Sequence, residues 1–212
     1  MRAFVIAMPN EAEAVRPHLK AGDRLYVSGI GKVNAAAATQ KAICEGADEI
    51  WNVGLCGGFG DDIEVGDVFT VDCAVEYDFD LAKLNGTRVG QLNEYDTPYL
   101  PLERISNLKS RISESGRISE SGAELRGRVL ATGDHFNDSE ADYALITKEL
   151  GASLRDMEGA AIAHVCKREG VRCHAVKCVT NVAGKGSMIG QYEENTRRCL
   201  ERLSDVMKEL LG

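Results

Sequence analysis

The regular alternation of short apolar runs with helical segments is the feature that most constrains the fold of this chain. The apolar runs 2–8 and 24–28 have the length of strands, and each is followed by a segment with helix signals. Helices that connect strands in this way cover both faces of the sheet. The pattern therefore predicts an α/β protein. No linker rich in Pro, Gly or Ser interrupts it, so we expect residues 1–212 to form a single domain.

Further elements follow from the same reading. Strands are predicted at 2–8, 24–28, 49–53, 67–75, 128–131, 153–157 and 171–179. Helices are predicted at about 10–20, from the turn at 29–34 to residue 44, and at 139–150, 160–168 and 192–211. Residues 79–102 show no clear period and are predicted to be loop. The six residues 111–116 are repeated at once as 117–122, which indicates an exposed insertion without chemistry.

Composition excludes several classes of function. The formal net charge is −8, which argues against nucleic acid as a partner. No apolar run approaches the roughly 20 residues that span a bilayer, and the N-terminus has no export signal, so we expect a soluble, cytoplasmic protein. Most of the 7 cysteines fall in apolar patterns, which predicts reduced core thiols. No pair has C-x-x-C spacing and the 4 histidines do not cluster, so no metal site is expected.

Polar and glycine-rich residues follow several predicted strands, and such ends can line one crevice of an α/β sheet. Glu158 lies where a predicted strand passes into a helix. It does not suit the core, because a buried unpaired carboxylate is too costly. The carboxylate of Glu158 offers two acceptors, and Met157 beside it offers an apolar contact. A sugar with neighbouring hydroxyls under a flat base needs both. The Gly29-x-Gly31 pair lacks the third glycine and the later acidic residue of a dinucleotide fingerprint, so an NAD site is rejected.

These segments together resemble the nucleoside phosphorylase and nucleosidase superfamily, and within it the 5′-methylthioadenosine/S-adenosylhomocysteine nucleosidases. The most specific match is Asp-Met-Glu-Gly-Ala-Ala-Ile-Ala at 156–163. The other matching blocks, in family order, are 7–11, 29–33, 52–58, 65–68, 132–136 and 180–183. Residues 79–127 match poorly. The resemblance implies a three-layer sandwich in which helices flank a central mixed β-sheet.

The resemblance also implies roles for site residues. Glu158 would accept hydrogen bonds from the ribose hydroxyls, and Met157 would lie under the sugar. Phe136 would stack on the base, with backbone groups at 136 and Asn137 contacting its edge. Glu11 would act as general base on the attacking water. The chemistry requires no metal and no organic cofactor.

Asn181 departs from the nucleosidase pattern, which has an aspartic acid at this position to protonate the leaving purine. An Asn amide donates a hydrogen bond but delivers no proton. Asparagine here resembles the 6-oxopurine phosphorylases and the futalosine hydrolases. Three explanations stay open: a 6-oxopurine substrate, slow cleavage of an adenine nucleoside, or an engineered residue at 181.

The residues around the predicted water or anion pocket favour hydrolysis over phosphorolysis. Related phosphorylases hold phosphate with an arginine and a serine, where this chain has Asn52 and Leu55. Lys177 stands in place of an arginine that positions water in the nucleosidases, and keeps the charge without the bidentate fork. Cys56 lies in the same pocket. We expect it to be a packed thiol and not a nucleophile, because no histidine sits at a partner position.

The predicted function is therefore hydrolysis of the N-glycosidic bond of a purine nucleoside. Methylthioadenosine or adenosylhomocysteine is the substrate that the family favours, and futalosine or inosine is the one that Asn181 favours. A purine nucleoside phosphorylase and a non-catalytic nucleoside-binding protein are the alternatives. The resemblance further implies a homodimer or larger homo-oligomer, while the 5′ substituent of the substrate is left open.

Overall fold

The computed structural model of the chain describes residues 1–105 and 128–212. The tandem repeat at 111–122 lies outside the described residues. The strands are β1 (Arg2–Ile6), β2 (Arg24–Val27), β3 (Glu49–Gly58), β4 (Val68–Glu76), β5 (Leu100–Pro101), β6 (Arg128–Thr132), β7 (Leu154–Asp156) and β8 (Arg172–Val182). The helices are α1 (Pro9–Val15), α2 (Lys32–Cys44), α3 (Ala82–Asn85), α4 (Glu140–Ala144), α5 (Gly159–Glu169) and α6 (Met188–Leu211).

The sheet is mixed and partly closes on itself. Strands β2, β1, β3 and β8 are parallel neighbours in that order, and β4, β6 and β7 form a second parallel group. The two groups join twice in antiparallel fashion, where β4 pairs with β8 and β7 pairs with β3. The long strand β3 therefore has β8 on one side and β7 on the other at its carboxyl end, which is where the candidate site lies.

The two faces of the sheet bury different helices, as the alternation of side chains along a strand requires. On β1, Ala3 and Val5 pack in a core with residues of α2 and α5. The intervening Phe4 and Ile6 pack in a second core with residues of α1 and α6. Helices on both sides of a mixed sheet make three layers, so the predicted fold class is confirmed. Within the described ranges, no helix is both long and apolar enough to cross a membrane.

Helix α1 begins one residue earlier than predicted, at Pro9. Pro9 occupies the first turn and Met8 is the N-cap. Glu11 is the residue three positions after Met8, and its Oε2 accepts a hydrogen bond from the Met8 N–H at 3.0 Å. This half of a capping box satisfies a backbone donor that would otherwise be unpaired. It also fixes the carboxylate of Glu11 at the end of β1.

Two other expectations need correction. Residues 79–102 contain α3 and β5 instead of loop alone, and both are too short for a period in the sequence to reveal. The strand predicted at 49–53 continues through the glycine-rich segment 54–58, which is the second half of β3. It stays extended because it pairs with β8 along its length. Its glycines allow neighbouring side chains to approach the backbone, which matters at the site.

Candidate active site

One cavity of about 390 Å³ lies over the second half of β3 and brings most of the predicted residues together. Its lining includes Glu11, Leu55, Cys56, Phe136, Met157, Glu158 and Asn181. These residues come from α1, from three strands or strand ends, and from the loop after β6. The fold therefore places both predicted carboxylates, Glu11 and Glu158, in the same cavity although they are far apart in the sequence.

Glu11 is held by backbone donors from two elements. The Leu55 N–H of β3 donates to its Oε1 at 2.7 Å, and the Met8 N–H donates to Oε2. A Cβ on Gly54 would lie 2.7 Å from Oε1, so the carboxylate reaches β3 only because residue 54 is glycine. Burial raises the pKa of Glu11, while the Leu55 N–H and the charge of Lys177 oppose that rise. The net effect is a raised pKa of Glu11, which makes its carboxylate a stronger proton acceptor than an exposed one.

Glu158 is the N-cap of α5 and has fewer donors than Glu11. The Gly31 N–H, in the loop before α2, donates to its Oε1 at 2.9 Å. Burial, followed by the negative charge of Asp156, raises the pKa of Glu158 to about 7. Lys177 and the Gly31 N–H act in the opposite direction. Glu158 therefore changes its charge near neutral pH, inside a cavity that a ligand could fill.

Lys177 lies behind the cavity wall and forms a buried ion pair. Its Nζ is 2.8 Å from Asp156 Oδ2, and the two side chains are 2% and 1% exposed. Asp156 also accepts from the Thr132 hydroxyl at 2.6 Å and from the Gly159 N–H at 2.9 Å. Burial alone would lower the pKa of Lys177, but Asp156 and Glu158 raise it. The predicted place of Lys177 in the pocket needs correction, because a buried ammonium stays with its carboxylate partner.

The thiol of Cys56 lines the cavity as predicted but has the character of a packed group. Burial raises its pKa far above the usual range, with only the charge of Lys177 opposing the rise. A thiolate is the nucleophilic form of cysteine. Cys56 is therefore a protonated thiol at neutral pH.

Asn181 lies near the carboxyl end of β8, beside the Thr180 hydroxyl. The Thr180 hydroxyl donates to Asn181 Oδ1 at 2.8 Å, and the residue is 1% exposed. Its Nδ2 is buried and has no hydrogen-bond partner among the described residues. A Cβ on Gly57 would lie 3.0 Å from that Nδ2, so the amide also depends on a glycine of β3. Asn181 thus presents donors, which a ligand can use.

The cavity also includes a residue that the sequence analysis did not identify. Arg155 lines the cavity, is only 5% exposed, and donates through Nη2 to the Asn137 carbonyl at 2.6 Å. Asn137 itself lines a neighbouring cavity of about 550 Å³ that shares Arg155 with the first, and its contact with the base stays a prediction. Arg155 and Met157 are two residues apart, and strand alternation puts them on one face. That periodicity is the signal that could have found Arg155.

An aromatic pair stands at the cavity mouth. Phe136 is 45% exposed, and its ring meets that of Tyr192 edge-on with centroids 5.8 Å apart. Both rings line the cavity, together with Ile30. An exposed aromatic face at a cavity suits a flat heterocycle.

The described residues contain no group of three or more His, Cys, Asp or Glu side chains arranged to hold a metal ion. What the cavity does offer is two carboxylates at one end, amide and guanidinium donors at the other, and an aromatic face. A neutral, polar, partly aromatic ligand fits this set. The cavity would stabilise a reaction that builds up positive charge near the carboxylates and negative charge near the donors.

Comparisons with known proteins agree with this arrangement. Residues 18–212 match the family model of the phosphorylase superfamily. The chain is 31% identical over 194 residues to a 5′-methylthioadenosine/S-adenosylhomocysteine nucleosidase of Marinomonas sp. (strain MWYL1), covering 88% of this chain and 79% of that protein. It is 30% identical to the aminodeoxyfutalosine nucleosidase of Campylobacter jejuni, covering 76% of this chain and 68% of the relative.

Solved structures support the fold. The native structure of futalosine hydrolase of Helicobacter pylori superposes with a TM-score of 0.84 at 19% identity, covering 99% of this chain and 96% of the other. The similarity in sequence extends over most of the chain, and the similarity in fold extends over nearly all of it. Both relatives named above are nucleosidases. The predicted resemblance is confirmed: the chain belongs to the phosphorylase superfamily, and its relatives place it with the purine nucleosidases.

Proposed function

We propose that the protein hydrolyses the N-glycosidic bond of a purine nucleoside. The observation that carries this proposal is the convergence of Glu11 and Glu158 on one cavity that also has an aromatic face. A ribosyl group has hydroxyls for one carboxylate and an anomeric carbon for water activated by the other. The relatives that act on nucleosides support the same reaction class.

Glu11 is the general base of the proposed reaction. Its two backbone bonds fix the carboxylate in position, and each oxygen has a further lone pair that can accept from water. As the water attacks the anomeric carbon, its proton passes to Glu11. The raised pKa of Glu11 makes it a stronger acceptor of that proton than an exposed carboxylate.

Glu158 accepts hydrogen bonds from the ribose hydroxyls. Loss of the base leaves positive charge on the sugar, as in other glycoside hydrolyses. The charged form of Glu158 stabilises that charge, and its pKa of about 7 means that this form increases through neutral pH. Met157 lies beside it and supplies an apolar surface under the sugar.

The base would stack on Phe136, and Asn181 would donate a hydrogen bond to it. This donor favours departure of the base because negative charge collects on the purine as the bond breaks. The relatives act on 5′-methylthioadenosine, S-adenosylhomocysteine or aminodeoxyfutalosine according to their names. The amide at 181 instead favours a 6-oxopurine such as that of inosine or futalosine.

Water suits the sugar end of the cavity better than phosphate does. A phosphate site needs cationic or hydroxyl donors. Here Leu55 is apolar, its N–H already donates to Glu11, and Lys177 is engaged with Asp156. The two carboxylates would also repel an anion. These features support hydrolysis over phosphorolysis.

The test is an assay of base release from methylthioadenosine, inosine and futalosine, each with and without phosphate. We expect a free base and a free sugar, at rates that do not depend on phosphate. Release of ribose-1-phosphate would identify a phosphorylase. Tight nucleoside binding with no base release over hours would instead identify a binding protein.

We also propose a single domain, a homo-oligomer, at least a homodimer, and a location in the cytoplasm. Exposed apolar side chains support the oligomer: Ile30, which lines the cavity, is 52% exposed, and Ile189, on α6, is 57% exposed. A second chain that covered these side chains would remove them from water. Light scattering on the purified protein tests this, and a monomer at assay concentration would contradict it.

A further inference from the structure

The loop before α2 supplies the donor that holds Glu158. The Gly31 N–H donates to Glu158 Oε1 at 2.9 Å, and within the described ranges this is the one hydrogen bond that the carboxylate of Glu158 accepts. Gly31 has a φ of +99°, a conformation that residues with side chains rarely adopt. A loop residue has no ladder of strand hydrogen bonds to keep it in place, so other contacts must hold this N–H against Glu158.

Asp134, in the loop after β6, caps α2 from outside the helix. The N-cap of α2 is Gly31, which has no side chain to accept from the first N–H groups of the helix. Asp134 Oδ1 accepts instead from the Lys32 N–H at 2.9 Å. A Cβ at residue 31 would lie 3.1 Å from the same oxygen, so Asp134 reaches the start of the helix past a glycine. Its negative charge also suits the N-terminus of a helix.

Asp78, which follows β4, holds both Asp134 and Lys32. Asp78 Oδ2 accepts from the Asp134 N–H at 3.0 Å, and Asp78 Oδ1 accepts from Lys32 Nζ at 2.6 Å. Lys32 Nζ is also 3.3 Å from Glu76 Oε2, and the lysine side chain is 19% exposed. A cation in the first turn is unfavourable for the helix dipole, and these two carboxylates compensate for it. Asp78, Lys32 and Asp134 therefore form a closed ring of bonds next to Gly31.

None of the three residues in this ring lines the cavity, so they can act on the ligand only through the loop that they hold. We propose that Asp134 is a positioning residue, whose bonds to Lys32 and Asp78 hold the Gly31 N–H against the carboxylate of Glu158. This inference rests on the proposed nucleosidase function, in which a charged and correctly placed Glu158 binds the ribose.

The Gly31 N–H affects the protonation state of Glu158. Burial is the largest influence on the pKa of Glu158 and raises it, whereas the Gly31 N–H lowers it. A donor does this because it stabilises the charged form of a carboxylate. If the loop moved and this N–H were lost, the pKa of Glu158 would therefore rise further, and less of the charged form would be present at neutral pH.

Three other charged groups act on Glu158, and the variants described below change none of them. Asp156 of β7 raises its pKa, Lys177 of β8 lowers it, and Glu11 of α1 raises it. The negative charge of Asp134 would itself favour the neutral form of Glu158 by repulsion. Loss of that charge alone would lower the pKa of Glu158, which is opposite to the effect of losing the Gly31 N–H. The sign of the shift thus separates positioning from a direct effect of charge.

The experiment measures the pKa of Glu158 by NMR on protein with ¹³C-labelled glutamate carboxyl groups, and Glu158→Gln assigns the resonance. In Asp134→Ala, which removes the acceptor of the Lys32 N–H, we expect the pKa of Glu158 to rise by about 0.5–1. Asp134→Asn loses the same charge but keeps an acceptor oxygen, so its pKa should stay near that of the wild type. Asp138→Ala, which removes an exposed carboxylate from the same loop, is a further control.

The pH dependence of kcat/KM for base release gives a second readout. In Asp134→Ala the rising limb should move to higher pH, so the loss of activity should be about two- to fivefold at pH 7 and small at pH 9. A merely structural defect would lower activity equally at both pH values. Gly31→Ala strains the same loop without altering any charge and should move the limb in the same direction. Circular dichroism checks that each variant is folded.

Each outcome decides one of the two proposals. A folded Asp134→Ala variant in which the pKa of Glu158 is unchanged or lower overturns the positioning role. An equal rise in Asp134→Asn overturns it too, because the acceptor oxygen would then not matter. The expected NMR shift without cleavage of any nucleoside keeps the positioning role and overturns the nucleosidase function. Cleavage without the shift does the reverse.

Discussion

The two ends of the cavity have opposite hydrogen-bonding character. The sugar end has the acceptors Glu11 and Glu158, with Asp156 beneath them. The base end has the donors of Asn181 and Arg155. Breaking a glycosidic bond leaves positive charge on the sugar and negative charge on the base. The cavity is thus polarised in the direction of the charge separation that the proposed reaction creates, and fixed dipoles of this kind need no rearrangement during the reaction.

The ends also differ in what holds them. Glu11 and Glu158 are fixed by backbone N–H groups from three separate segments, at Met8, Leu55 and Gly31. At the base end, the fixing bonds come from side chains, the Thr180 hydroxyl and the Arg155 guanidinium. Backbone positions survive most substitutions and side-chain bonds do not. We therefore expect catalysis to depend on the sugar end, and the choice of base to be tuned at the base end.

The largest effect is expected at Glu11. Glu11→Gln keeps the shape of the side chain but removes the general base, so kcat for base release should fall about 10²- to 10⁴-fold. The preference between inosine and adenosine should not change, because that preference belongs to the other end of the cavity. Steady-state kinetics with both nucleosides measures the two effects.

Glu13→Gln is the control for this prediction, since Glu13 is an exposed carboxylate on the same helix. It should have nearly the parent kcat. If Glu11→Gln retained full activity, water would need another base and the assignment of the sugar end would fail.

The next largest effect is expected at the buried ion pair of Lys177 and Asp156, which lies next to the sugar end. Lys177→Met leaves the buried Asp156 without its cation, and breaking one side of a buried pair reduces the free energy of unfolding by about 3–5 kcal/mol. Denaturant unfolding at pH 7 measures this loss. Adding Asp156→Asn to the Lys177→Met variant should recover part of it, since no unpaired charge then remains.

A loss below about 1 kcal/mol in Lys177→Met would mean that Asp156 is satisfied by the Thr132 hydroxyl and the Gly159 N–H alone. The sugar end would then not depend on the ion pair for its stability.

Glu158 should make the folded protein less stable as pH rises. Its pKa is about 7 in the folded state against 4.5 for an exposed glutamate, so the folded state binds more protons between these two pH values. The free energy of unfolding therefore falls as pH rises from about 4.5 to about 7, by up to about 3 kcal/mol. Glu158→Gln removes this fall, and should be more stable than the parent at pH 8 but not at pH 4.

Thermal unfolding of Glu158→Gln at both pH values measures the effect, with Glu169→Gln as control because it removes an exposed carboxylate from the same helix. The Glu158→Gln variant should also lose base release, since the amide cannot supply negative charge to the sugar. A variant that was less stable than the parent at pH 8 would show that the charged form of Glu158 is favoured by the fold.

Most of the fold could be predicted from local patterns in the sequence. The order of the long strands and helices was right because each has a period or a cap within its own segment. The closure of the sheet through β7 and β4 could not be predicted, since it depends on pairings between distant segments. The extension of β3 through its glycines was missed for a related reason. Glycine signals a turn locally, and only the neighbouring strand β8 keeps the segment extended.

The site was partly predictable. Glu11 and Glu158 could be named because a carboxylate at a strand end has few structural explanations. Lys177 was placed in the cavity because the sequence does not reveal that Asp156 is its partner. Arg155 was missed because its neighbour Asn137, with which it shares two hydrogen bonds, lies in a different loop. Hydrogen-bond and ion-pair partners that are distant in the sequence are identified only in the folded structure.

The smallest of these effects is expected from Asn181→Asp, which changes the base end alone. A protonated aspartic acid can deliver a proton to a departing adenine, which the Asn amide cannot. The gain should be near the lower limit for general acid catalysis, about a hundredfold in kcat/KM for adenosine, because the other residues of the cavity are unchanged. Inosine should gain less, because its 6-oxo group already delocalises the negative charge of the departing base. Asn93→Asp is the control, since Asn93 is exposed, does not line the cavity, and accepts through Oδ1 from Asn85, a bond that an aspartate can keep. An equal gain for both nucleosides would mean that the base end does not distinguish position 6, and that the polarity of the cavity serves catalysis only.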